Sequence, residues 1–379
     1  MAPTTLDDVE KRRNSANRHP EKRVLPVHKS NDGVGIAKKA TVANPSVGIL
    51  AIFTAAAMLT GCGGGEAGAP APTPDPVTTI PLAQRVQAAQ ATANNGTNAC
   101  HAIKPFYWEI GDATAVLGSG STDAANGNPT YTASTVMSVA SASKWLYAAY
   151  VAEKRAGALS ASDIKFLHFQ SGYVSFGAFG TCGPSDTVDS CLSNGSNGNY
   201  TASSDGKFNY DGGHMQKHGS IDGLGPLGSI ALSAEIRRLL GTDIFLNYSQ
   251  PQLGGGVVTT AADYGRFLRK VLGGSLRMSS FLGRNSVCAN PATCGQAVSS
   301  PTPTRENWMY SMGHWVDADP VVGDGSFSST GAFGFHPWID AGKTSYGIIA
   351  RRTAEPGSGF ESSTCGRLLR KAWANGSPQ

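Results

Sequence analysis

A short apolar run, Val47 to Leu59, follows a basic segment and ends in the small-residue sequence Leu59-Thr60-Gly61-Cys62. This layout is that of a secretory signal, and it decides where a folded domain can begin. The run is too short to cross a bilayer with ease, since a transmembrane helix takes roughly 20 apolar residues. Residues 63–80 (GGGEAGAPAPTPDPVTTI) are rich in Gly, Ala and Pro, the composition of an extended tether. The chain therefore reads as a signal segment over 1–62, a spacer over 63–80 and a folded region over 81–375. The 46 residues ahead of Val47 exceed what a signal needs, which suggests a start codon assigned too far upstream.

Net charge is informative only once it is located. Of 31 Lys/Arg and 27 Asp/Glu, nine and five lie in residues 1–62, so 22 of each remain and the mature part after Cys62 is neutral. A neutral domain lacks the basic footprint that phosphate backbones require, which argues against nucleic acid as a partner. Leu59-Thr60-Gly61-Cys62 also resembles a bacterial lipobox, in which the Cys is lipid-modified and becomes the mature N-terminus. A plain secretory signal is the alternative. The lipobox reading predicts a cell-envelope lipoprotein, on the periplasmic or outer-membrane face, held to the membrane through Cys62.

With Cys62 lipidated, six cysteines remain, an even number suited to an oxidising compartment. Short closures favour Cys182–Cys191 and Cys288–Cys294, which leaves Cys100–Cys365 to join the two ends of the domain. A metal site is the rival reading, but neither a Cys-x-x-Cys pair nor a tight His/Cys cluster supports it. No metal or cofactor is expected.

Periodicity places the main elements. Pro81–Ala93 and Ser141–Arg155 read as helices, the second with Gly157 as its stop signal. Ala231–Leu240, Thr260–Leu272 and Cys365–Ala374 also read as helices. Phe106–Leu117, Trp308–Val316, Gly331–Ile339 and Ser345–Arg351 carry strand signals. Gly172 to Gly213, dense in Gly, Ser and Asn, reads as loop. Strands at both ends and helices between them predict an α+β architecture.

A serine becomes a useful nucleophile only when another group takes its proton. A Lys three residues further along a helix shares its face and can do so. The spacing occurs at Ser141/Lys144, Ser162/Lys165 and Ser204/Lys207. Only Ser141 opens a long apolar helix, which places its amide at a positive helix terminus and buries Lys144. The bland alternative makes Ser141 an N-cap and Lys144 a solvated side chain. No Gly-x-Ser-x-Gly occurs, so an α/β-hydrolase elbow has no support. His214 and His218 are four apart, but in a Gly-rich stretch without the His-Glu-x-x-His pattern. His168, His314 and His336 lie among apolar residues and read as structural or pocket-lining. Trp308, Tyr310, Trp315, Phe333, Phe335 and Trp338 could line an apolar cleft or form core.

Several motifs then occur in order. Ser141-Ala142-Ser143-Lys144, followed by Ala156-Gly157-Ala158-Leu159 and Asp163, resembles the nucleophile helix of serine β-lactamases and penicillin-binding proteins. Leu167-His168-Phe169-Gln170-Ser171-Gly172 is similar to that family's Leu-x-His-x-Ser-Gly segment. Leu253 to Tyr264 (LGGGVVTTAADY) resembles the Gly-Gly-x-x-Ser/Thr-Thr-Ala-x-Asp stretch of its class C and esterase branch. The resemblance covers roughly residues 103–352.

It implies a β-lactamase/transpeptidase-like fold: an antiparallel sheet flanked by terminal helices, with a mostly helical subdomain and the active site at their junction. Tyr210 matches the Tyr of the family's Tyr-x-Asn motif and inherits a share in proton transfer with Lys144, while Gly212 stands in place of the amide. The third motif falls on Ser329-Thr330-Gly331, where the family carries Lys or His at the position of Ser329. Ser329, Thr330 and Gly331 are then expected to bind substrate, and the amides of Ser141 and Ala332 to form the oxyanion hole. Arg351 or Arg352 is the candidate replacement for the missing cation. The implied activity is hydrolysis of a small ester or amide by a monomeric serine hydrolase through an acyl-enzyme on Ser141, with esters favoured. A β-lactamase or D-Ala-type peptidase is the alternative, and a non-catalytic envelope binding lipoprotein the alternative of another class.

Overall fold

The computed structural model describes residues 79–123, 130–177, 182–355 and 357–379. Cys62 and nearly all of the predicted tether lie outside them. No helix among the described residues is long and apolar enough to cross a membrane.

The centre is an eight-stranded sheet. Its strands are β1 (Tyr107–Gly111), β2 (Val116–Ser121), β3 (Val287–Cys288), β4 (Met309–Ser311), β5 (His314–Val316), β6 (Phe327–Ser328), β7 (His336–Ile339) and β8 (Tyr346–Ala350). They lie in the order β2-β1-β8-β7-β6-β5-β4-β3, and every pairing is antiparallel. Antiparallel sheets commonly wet one face, yet β1, β7 and β8 are buried at every residue. Helices on both faces account for this. On one side α1 (Leu82–Asn94) packs with the C-terminal helix over Trp108, Ile110, Trp338 and Ile349. The opposite face, with Tyr107, Tyr346 and Ile348, joins the larger core beneath the helical part of the chain.

That helical part enters between β2 and β3. It comprises α2 (Ser143–Lys154), α3 (Ala161–Leu167), α4 (Val188–Ser193), α5 (Gly213–Gly219), α6 (Ser229–Leu240) and α7 (Ala261–Leu272). Helix α2 is buried from Ser143 through Ala152, all round its circumference, as an apolar helix at the middle of a domain must be. It stops where the sequence predicts: Ala156 and Gly157 take left-handed φ values of 50° and 83°, and the Gly157 amide reaches back to the Ala152 carbonyl at 2.9 Å. The closing helix, α8, spans Ser358–Asn375, seven residues earlier in its start than the sequence pattern implies.

Cys100–Cys365, Cys182–Cys191 and Cys288–Cys294 are paired as expected. The first ties the segment before β1 to α8. The reading of Gly172–Gly213 as loop is corrected. Ser171–Tyr173 pairs with Tyr200–Asp205, α4 carries a Thr187 capping box, and Phe208–Asn209 pairs with Ala297–Ser299. Conversely, residues 331–335 form a turn, and the strand predicted from Gly331 begins only at His336.

Candidate active site

Ser141 lies in a single 3-10 turn, Ala140–Ala142, that runs into α2. Ala140 holds φ at 44°, a left-handed value that costs an alanine energy and persists only where neighbours fix it. Here the fixing groups are visible. The Ala142 amide donates to the Val139 carbonyl, and Ser143 Oγ donates to that of Ala140 at 2.6 Å. Ser329 Oγ donates to the Ser141 carbonyl at 3.1 Å, and the Tyr264 hydroxyl to that of Ala142 at 2.9 Å. Four successive carbonyls are thus satisfied by three different parts of the chain.

Lys144 is 5% exposed, and its Nζ donates to Ser141 Oγ at 3.0 Å and to the Gly254 carbonyl at 2.8 Å. Burial lowers its pKa to about 8, against a smaller upward pull from the Asp211 carboxylate. Nζ also sits 4.9 Å from the centre of the Tyr210 ring. Burial raises the Tyr210 phenol to about 12, and hydrogen bonding with Ser141 and Trp315 works in the opposite direction. Tyr210 stacks on Trp315 at 5.1 Å, and its amide donates to the Ser299 carbonyl. A serine hydroxyl, an amine whose pKa burial lowers and a phenol whose pKa burial raises therefore converge.

The other two Ser/Lys spacings do not produce such a site. Ser162 is exposed while Lys165 is paired with Asp205 at 2.8 Å, and Ser204 is buried in the strand Tyr200–Asp205.

Opposite Ser141 stands the β6–β7 connection. Thr330, Gly331 and Ala332 line a cavity of about 350 Å3 together with Ser141 and Tyr210, a volume in the small-ligand range. The expectation for Ser329 is corrected: it is 2% exposed, and its hydroxyl is spent on the Ser141 carbonyl rather than turned to the cavity. Gly331 lines the cavity, but its amide donates to Phe335 at 2.8 Å. A Cβ on Gly331 would lie 2.2 Å from the Val139 carbonyl oxygen, so the two walls approach as closely as they do only because this residue is glycine. Ala332 is exposed at the cavity, and the Ser141 amide belongs to a first helical turn, where N–H groups have no intrahelical carbonyl. Both amides can therefore receive an oxyanion.

Arg351 does not replace the missing cation. It is buried and donates to Ser362 Oγ at 2.9 Å and the Ser358 carbonyl at 3.0 Å, with Glu361 at 3.1 Å, so it braces the first turn of α8. Arg352 is exposed, with its guanidinium 5.3 Å from the Phe333 ring centre. Among the described lining residues the one carrying a full charge is Glu355. Trp308, Trp315, Phe333 and Phe360 supply apolar wall, whereas Tyr310, Phe335 and Trp338 are core. At position 212 there is little room for a side chain: a Cβ would lie 3.2 Å from the Phe176 ring.

His168, His214, His218, His314 and His336 are buried. His214 Nδ1 meets Ser171 Oγ at 2.6 Å, His218 bridges Tyr147 and Asp163, and His314 stacks on Trp145. Burial lowers His168 and His214 to about 4 and His314 to about 3. Among the described residues no His/Cys/Asp/Glu group could hold a metal ion. A larger groove, about 1220 Å3, runs beside α8, but its Arg367 and Arg370 are committed to Glu306, Asp317 and Asp324.

Sequence reasoning missed the Gly254 carbonyl that anchors Lys144, the Asp211 charge, and the contribution of α8 to the cavity. The glycine run at 254–256 was visible in the sequence, but nothing local ties it to a lysine 110 residues away.

No protein-family model and no curated protein matches the chain. Solved structures do. A selenomethionyl LovD, the simvastatin synthase of Aspergillus terreus, superposes with a TM-score of 0.54 at 12% identity, covering 78% of this chain and 99% of that one. A D-stereospecific amidohydrolase from Streptomyces sp. gives 0.51 at 13%, covering 79% and 100%. EstCE1, described as a hydrolase with promiscuous acyltransferase activity, gives 0.50 at 14%, covering 77% and 98%. At such identities the likeness is one of fold, and the fold is β-lactamase/transpeptidase-like.

Proposed function

We propose, from the premise that this chain folds as β-lactamase/transpeptidase-like proteins do, that it is a serine hydrolase cleaving neutral esters through an acyl-enzyme on Ser141. The observation that carries this reading is the 3.0 Å contact of Lys144 Nζ with Ser141 Oγ, in a setting that lowers the lysine to about 8. About a tenth of such a lysine is neutral at pH 7, enough to serve as a general base. As Ser141 Oγ bonds to the ester carbonyl carbon, its proton passes to neutral Lys144. The carbonyl oxygen takes up the negative charge and is received by the Ser141 and Ala332 amides. Collapse of this intermediate breaks the bond to the leaving oxygen, which takes the proton back from Lys144 directly or through the Tyr210 hydroxyl. Water then adds to the acyl-enzyme, gives its proton to Lys144, and releases the acid as Ser141 recovers its own.

Charge favours esters over β-lactams and D-Ala peptides. Both of the latter carry a carboxylate, and the cavity lining offers Glu355 rather than a cation. A charge-assisted hydrogen bond contributes about 1.5–3 kcal/mol, so its loss is felt strongly. Measured on one preparation, kcat/KM should be higher for a neutral p-nitrophenyl ester than for a penicillin. Efficient penicillin hydrolysis with feeble esterase activity would overturn the substrate assignment.

Export and attachment through Cys62 belong to the same proposal, supported by the residues at 59–62 and the spacer after them. Cys62→Ser should move the protein out of the detergent phase, and unchanged partitioning would contradict the anchor.

A further inference from the structure

Thr330 lines the cavity beside Ser141, and its hydroxyl lies 2.7 Å from Nδ1 of His336. Which of the two donates decides what Thr330 can offer a substrate. With a bare Nδ1 the hydroxyl proton is spent on the imidazole, and only lone pairs face the cavity. With a proton on Nδ1 the hydroxyl accepts from the ring, and its own proton is free to point inward.

The far nitrogen of the ring resolves the choice. His336 is 1% exposed, stacked on Trp338 at 5.3 Å, and its Nε2 has no hydrogen-bond partner among the described residues. Nη1 of Arg370 is likewise without one. Both atoms converge on Gly366: a Cβ there would lie 2.7 Å from Nε2 and 3.3 Å from Nη1. The glycine is what lets imidazole and guanidinium share this space. The remainder of the guanidinium is held by Asp324 at 2.5 Å and Asp317 at 3.7 Å. The charged groups that face His336 are Arg370, then Asp324, then Arg367.

A guanidinium can only donate. A proton on Nε2 would therefore point toward a cationic donor, whereas a lone pair there is attracted to it. Burial and the adjacent cation also hold the ring neutral, so a single nitrogen is protonated.

We propose that Arg370 fixes His336 in its Nδ1-protonated tautomer, and that this holds Thr330 as a hydrogen-bond donor into the cavity. The donor would face an acceptor oxygen of a neutral substrate, standing in for the cation that the third motif lacks. His336 and Arg370 are positioning residues in this account, and Thr330 makes the contact. The substrate half rests on the hydrolase reading, but the tautomer does not.

Nitrogen-15 NMR of the full chain with labelled histidine tests it, with His336→Gln identifying the signals. The expected result is a ring protonated at Nδ1 and bare at Nε2, unchanged between pH 8 and 6, and retained in Thr330→Val. A proton on Nε2, an imidazolium above pH 6, or a switch of tautomer in Thr330→Val would overturn the proposal. On p-nitrophenyl butyrate, Thr330→Val should lose about three- to tenfold in kcat/KM, chiefly through KM, with recovery in Thr330→Ser. Full activity of Thr330→Val would remove the donor role. Absence of ester turnover in the wild type would instead count against the hydrolase reading, while the NMR result still decides the tautomer.

Discussion

Around Ser141 four consecutive carbonyls are hydrogen-bonded and an alanine is held at left-handed φ, so the serine's backbone has little freedom. Across the cavity, the Thr330–Ala332 segment is a turn between two short strands, with Ala332 exposed and no cation in place. The first wall, which the hydrolase proposal makes the seat of the chemistry, is over-determined by packing. The second, to which that proposal assigns substrate selection, is where this chain departs from the motifs it otherwise resembles. On the proposed reading the reaction is kept while the substrate changes, which requires that the contacts between the walls survive. Two such contacts are the Ser329 hydroxyl on Ser141 and the bare Cα of Gly331 against Val139.

Substitutions on each wall should separate the two roles. Lys144→Met removes the base and should lower kcat by about a thousandfold with little change in KM, read by steady-state ester kinetics. A loss under tenfold would mean that another group takes the proton. Gly331→Ala drives a methyl into the Val139 carbonyl and should destabilise the protein by about 1–3 kcal/mol, measured by denaturant unfolding, with a large loss of activity. Ser329→Ala strips one partner from the Ser141 carbonyl, at about 0.5–1.5 kcal/mol for a single hydrogen bond, and should lower kcat rather than raise KM. A pure KM effect would return Ser329 to the substrate side.

The smallest effect should be on pH. Because Lys144 acts when neutral, kcat/KM should rise with pH and level off above about 8. Asp211 pulls that lysine upward, so Asp211→Asn should move the limb to lower pH. An unmoved limb would show that the carboxylate does not act on Lys144.

The long elements were legible in the sequence because their periodicity is sustained. Helices α2, α6 and α7 lie within two residues of the patterns that predict them, and the short cysteine closures left one partner for Cys100. Gly172–Gly213 was illegible because its elements run to six residues at most, stabilised by a disulfide and by Asp211 accepting from Phe176 and Gly213. Ser329 was misread for a related reason. It follows a two-residue strand, and which face it presents depends on the pairing of Ser328 with Trp338, a register no local pattern encodes.

The claim that Ser141 is the nucleophile is tested most directly by trapping the intermediate. A p-nitrophenyl ester mixed with the protein and quenched early should leave one acyl group, and peptide mapping should place it on Ser141. Ser141→Ala should show neither the adduct nor turnover. An acyl group on Ser162 or Ser204, or full turnover by a folded Ser141→Ala protein, would contradict the account.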